Sequence, residues 1–97
     1  MKSTEQCIDI IRSNAALLKS KYGITSLSLF GSVARGEQND DSDVDVFVSM
    51  PAVMRNVLGA NMFLEQILGC DVDMVRNHSH LSANLLTQIN RDAIHVF

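Results

Sequence analysis

The stretch FGSVARGEQNDDSDVDVFV, Phe30 to Val48, sets a glycine turn ahead of four aspartates and ends in a run of alternating valines. Side chains alternate across an extended chain, so Val44, Val46 and Val48 share one side while Asp43, Asp45 and Phe47 share the other. The reading is a strand with one apolar and one acidic face. Aspartate has low strand propensity, and two neighbouring carboxylates repel and raise a pKa unless a cation compensates. A local cost with no structural return points to function.

Outward from this stretch the chain alternates helix and strand. STEQCIDIIRSNAALLKSKYG, Ser3 to Gly23, predicts one helix, because Ile8, Ile11, Ala15, Leu18 and Tyr22 recur at helical spacing. Ser3 and Gln6 suit a capping box, and Gly23 suits the stop. Thr25–Phe30 reads as a short strand between glycines. Beyond Pro51, the stripe Val53, Val57, Ala60, Leu64 and Ile67 predicts a helix ending at Gly69. Cys70–Val75 is a third strand that carries Asp73, Leu81–Asn90 a last helix, and AIHVF a closing edge strand. The expected architecture is α/β (α+β): a small mixed sheet packed against helices, with residues 1–97 as a single domain.

Composition narrows the function classes. A 46 % hydrophobic, 20 % charged chain of 97 residues suits one globular core. A net charge of −3 offers no basic patch, so direct binding of long nucleic acid is not expected. No apolar run approaches the roughly twenty residues of a membrane span, and MKSTEQCIDI lacks a signal-peptide core, so no membrane association and a cytoplasmic location are expected. Cys7 and Cys70 lack metal-ligand spacing and read as incidental thiols.

Four explanations compete for Phe30–Val48. A P-loop fails, because Glu37 and Gln38 stand where Lys and Ser or Thr should follow Gly36. A calcium loop starting at Asp41 fails, with Val46 in place of its glycine and Ala52 in place of its glutamate. A polar turn accounts for Asp40 and Asp41 but poorly for Asp43 and Asp45. The fourth is a metal–nucleotide site. Asp43 and Asp45 point the same way and suit hard cations such as Mg²⁺, and Asp73 from the neighbouring strand would complete a two-ion cradle. Gly31 lets backbone approach a phosphate, and Ser32 opens a short helix whose N–H groups face an anion.

Gly31 and Ser32, then ten residues, then Asp43-Val44-Asp45 form the pattern G-S-x10-D-x-D, which resembles the signature of the DNA polymerase β-type nucleotidyltransferase superfamily. The short chain and its GSVARGE form are similar to the minimal nucleotidyltransferases of prokaryotes. The resemblance implies that Gly31 and Ser32 hold the triphosphate of an NTP, that Asp43 and Asp45 bind two Mg²⁺ ions, and that Asp73 binds one ion and helps deprotonate an acceptor hydroxyl. Arg35 is a further phosphate contact, with a surface or turn-packing role as the alternative. Minimal members resemble the antitoxin of a toxin–antitoxin pair. The implied function is transfer of AMP from ATP to a tyrosine of a partner HEPN-domain toxin, in a hetero-oligomer. The alternative is a catalytically silent module of the same fold that neutralises a toxin by occlusion; transfer to a small molecule ranks below both. Arg76, Asn77, His78 and His80 follow the third strand and read as a polar loop.

Overall fold

The computed structural model describes all residues from Met1 to Phe97. The elements run α1 (Thr4–Ser13), α2 (Ala15–Tyr22), β1 (Ser26–Phe30), α3 (Gly31–Arg35), β2 (Val44–Ser49), α4 (Met54–Leu68), β3 (Val72–Arg76), α5 (Ala83–Asp92) and β4 (Ile94–His95). The strands form one sheet in the order β3-β2-β1-β4. β1 pairs antiparallel with β2 and β4, while β2 pairs parallel with β3, the arrangement that requires a crossover and here uses α4. The expected mixed sheet and the edge strand at the end of the chain are both present.

One face of the sheet makes the core. Leu27, Leu29, Val44, Val46 and Val48 are fully buried there, with Cys7 and Ile11 of α1, Leu18 and Tyr22 of α2, and Ala60, Leu64 and Leu68 of α4. Each fully buried valine or leucine contributes about 1.5–3 kcal/mol by leaving water, so this face carries most of the stability. The opposite face holds Phe30, Asp45 and Phe47, all only half-buried. Here α3 and α5 pack against each other, and both contact β1.

Several boundaries depart from the sequence reading. The predicted first helix is two, broken at Asn14, whose side-chain Nδ2 donates to the Ile10 carbonyl at 2.8 Å. That carbonyl is the acceptor a continuing helix would offer to the Asn14 N–H, which bonds Ile11 instead. The capping box at Ser3 and Gln6 forms as expected, and Gly23 ends α2 with φ +77°. β3 begins at Val72 rather than Cys70, and α5 begins after Ser82, whose hydroxyl accepts from the Leu85 N–H. Asp43 was expected on the strand with Asp45, but the ladder starts at Val44, so Asp43 lies in the entry to β2.

Candidate functional site

Asp45 is the centre of the arrangement. Along the sheet it stands opposite Phe30 of β1 on one side and opposite Asp73 of β3 on the other. Asp45 and Asp73 are therefore register partners on adjacent strands, which puts two carboxylates on neighbouring positions of one face. The Val44 N–H donates to the Asp71 carbonyl at 3.0 Å, fixing this register one residue before Asp45. Asp43 and Asp73 are exposed, and Asp45 is half-buried.

The electrostatics follow from this packing. Burial pushes the Asp45 carboxyl above its usual range, and the negative charges of Asp73 and Asp43 push it further the same way, while Arg35 pulls it back. The site concentrates anionic oxygen with too little nearby positive charge. That donor set, three carboxylates and no sulfur or imidazole, suits a hard divalent cation such as Mg²⁺. No three of the chain's His, Cys, Asp and Glu side chains form a preassembled metal cage.

Gly31 closes the site from the β1 side. It takes φ +71°, a left-handed conformation that disfavours any side chain. A Cβ at Gly31 would sit 3.0 Å from Asp45 Cγ and nearer still to Oδ2. Backbone and carboxylate are thus in direct apposition, with Ser32 next in the first turn of α3. Gly36 ends α3 with φ +72°, and a Cβ there would meet nothing within 4 Å. It shapes the turn, its N–H donating to the Val33 carbonyl at 3.1 Å. In the turn beyond, Asn39 Oδ1 accepts from the Asp41 N–H, and the amino terminus pairs with Asp40 at 3.0 Å. Asp40 and Asp41 are turn residues, apart from the acid pair.

Arg35 is engaged on two sides. Its Nε donates to Glu37 Oε2 at 3.0 Å and its Nη1 to Asp92 Oδ2 at 2.6 Å. The sequence reading placed Arg35 at this site but had no signal for Asp92, 57 residues away. It also missed that Cys7 and Cys70 line one cavity of about 350 Å³ with Lys2 and Leu68, the two thiols raised chiefly by burial. Both cysteines are free. His78 and His80 are exposed after β3, with the His80 N–H donating to His78 Nδ1 at 3.0 Å.

The pattern of the Nucleotidyltransferase domain family matches residues 11–94. A candidate protein adenylyltransferase of Methanocaldococcus jannaschii is 35 % identical, covering 99 % of this chain and 100 % of its own. The protein adenylyltransferase MntA of Thermococcus cleftensis is 29 % identical, covering 99 % and 98 %. Among solved structures, a candidate minimal nucleotidyltransferase superposes with a TM-score of 0.77 at 32 % identity, covering 96 % of this chain and 95 % of that one. A tri-AMPylated Shewanella oneidensis HEPN toxin in complex with its MNT antitoxin contains the same fold, with a TM-score of 0.65 at 19 % identity over 93 % of this chain and 71 % of that one. With the glycine turn against Asp45 and the Asp45–Asp73 pair beside it, these matches make the chain a minimal member of the nucleotidyltransferase domain family.

Proposed function

We propose that this nucleotidyltransferase transfers AMP from ATP to a hydroxyl of a partner protein, a tyrosine of a HEPN-domain toxin, and so acts as its antitoxin in the cytoplasm. The observation that carries the reading is the in-register Asp45–Asp73 pair, with Asp45 lying against the bare backbone of Gly31. Support for the acceptor class comes from relatives named protein adenylyltransferases and from the AMPylated toxin held by an antitoxin of this fold.

Asp43, Asp45 and Asp73 are the residues that would hold Mg²⁺, as two ions. Bound Mg²⁺ supplies charge neutralisation for the triphosphate and acidifies the acceptor hydroxyl. Gly31 and Ser32 receive the triphosphate on backbone N–H groups, a role that a side chain at Gly31 would obstruct. Arg35 adds positive charge at the same edge. Asp73 accepts the acceptor proton as the acceptor oxygen displaces pyrophosphate from the α-phosphorus. The chain's contribution is positioning and preset charge rather than covalent chemistry.

Incubation with α-labelled ATP, Mg²⁺ and a co-purified toxin should move label onto the toxin, and Asp43→Ala with Asp45→Ala should abolish it. Transfer that survives the double substitution overturns the reading. One feature favours neutralisation by docking alone: Met54, Leu58 and Met62 form an exposed apolar stripe on α4. Inhibition of the toxin that is equally strong without ATP and Mg²⁺ would establish that second reading.

A further inference from the structure

The contact between α3 and the end of α5 is the most strongly built polar feature of the molecule outside the acid pair. Asp92, the last residue of α5, is only 9 % exposed at its side chain, an unusual burial for a carboxylate. Its Oδ2 lies 2.6 Å from Arg35 Nη1 and its Oδ1 3.4 Å from Arg91 Nε. Glu37 holds Arg35 Nε from the other side. A guanidinium has five N–H donors in a rigid plane. Two of them are spent on carboxylates, which leaves three to serve another anion. Arg35 is the last residue of the five-residue helix that opens at Gly31, the glycine that lies against Asp45, so the clamped cation stands at the edge of the acid site.

We infer that Asp92 is a positioning residue for nucleotide binding: it fixes the Arg35 guanidinium at the phosphate edge of the site, so that the remaining N–H donors meet the triphosphate without a search through side-chain rotamers. The inference rests on the reading of Arg35 as a phosphate contact and adds the group that orients it. An arginine on the surface loses rotamer freedom when it binds an anion. Here the two carboxylates have already taken most of that freedom away. Asp92 reaches α3 across the fold, so a residue remote from the G-S-x10-D-x-D pattern controls how well that pattern holds its ligand.

Equilibrium binding of a fluorescent ATP analogue to the full chain, in Mg²⁺ and without any partner, tests this apart from the transfer reaction. Asp92→Asn should weaken binding roughly fivefold, the loss expected when an oriented charge pair is broken. Asp92→Glu should recover most of the affinity. Arg35→Gln should weaken binding by at least as much, and adding Asp92→Asn to it should change nothing further. Wild-type affinity in Asp92→Asn, or losses that add in the double variant, overturns the positioning role. A loss of affinity in Asp92→Asn that is matched by a fall in stability and not recovered by Asp92→Glu overturns it as well. If the wild type binds no ATP analogue while the label is still transferred from another NTP, that NTP replaces ATP in the same series. If it binds no nucleotide at all, this inference and the proposed function fall together.

Discussion

The two faces of β2 obey opposite rules although their residues alternate along one strand. Val44, Val46 and Val48 have no exposed surface and pack among apolar side chains from three helices. Asp45 and Phe47, interleaved with them, are half-buried, and Asp45 carries a charge that its surroundings disfavour. The valine face is optimised for stability; the acid face holds a cost that a cation or a proton on Asp45 relieves. A single strand can thus be rigid because of one face and reactive because of the other.

Substitutions should separate the faces, and the largest effect belongs to the acid face. Asp45→Asn should reduce label transfer at least about a thousandfold, as loss of a principal charge-handling group does, while circular dichroism stays native; retention of a tenth of the activity would erase the distinction. Gly31→Ala comes next, because the left-handed backbone and the close Asp45 carboxylate act together. It should cost about 3 kcal/mol of stability and most of the activity, read by denaturant unfolding and label transfer. Val46→Ala on the core face should cost about 2 kcal/mol by the same unfolding measurement and leave kcat unchanged. Gly36→Ala, with the same backbone sign but open space around it, should cost only about 1 kcal/mol. If Gly31→Ala were as mild as Gly36→Ala, the apposition of Gly31 and Asp45 would be irrelevant to the fold.

The smallest effect has the sharpest sign. A carboxyl whose folded pKa lies above its unfolded value is penalised as pH rises through that interval, because the folded state then holds the proton more tightly. Asp45→Asn should therefore melt above the wild type at pH 7 in metal-free buffer. The gap should close as pH falls below the ordinary carboxylate range, where both states are protonated. A wild type that is more stable than Asp45→Asn at pH 7 would mean that Asp45 is a structural residue.

Much of this was legible in the sequence for identifiable reasons. Alternation exposed β2 and the two-sided role of its residues, since the valines are uninterrupted from Val44 to Val48. Glycines 23, 31 and 69 adopt positive φ at the element ends where the sequence put them, and Gly36 does so in its turn. The break at Asn14 was hidden because the apolar period continues through it, and only a side-chain bond to Ile10 reveals it. The strand limits near Asp43 and Cys70 depend on backbone pairing, which composition does not encode. Asp92 and the Cys7–Cys70 cavity were invisible for a further reason: they are contacts between segments more than fifty residues apart, with no periodic signature at either end.

The parallel pairing of β2 with β3 has a consequence for assembly. Gly31, Ser32, Asp43 and Asp45 belong to a hairpin-like unit, β1 to β2, whose contacts are close in sequence. Asp73 reaches that unit only after the whole of α4 has been formed and laid across the sheet, and Asp92 only after α5. Such long-range contacts are expected to close late in folding, because the loop entropy must be overcome first. A chain still emerging from synthesis, or one whose crossover has opened, holds the glycine turn and two acids but lacks the third. On the roles proposed for these residues, competence for chemistry is acquired at the end of folding, and turnover doubles as a readout of the finished native state.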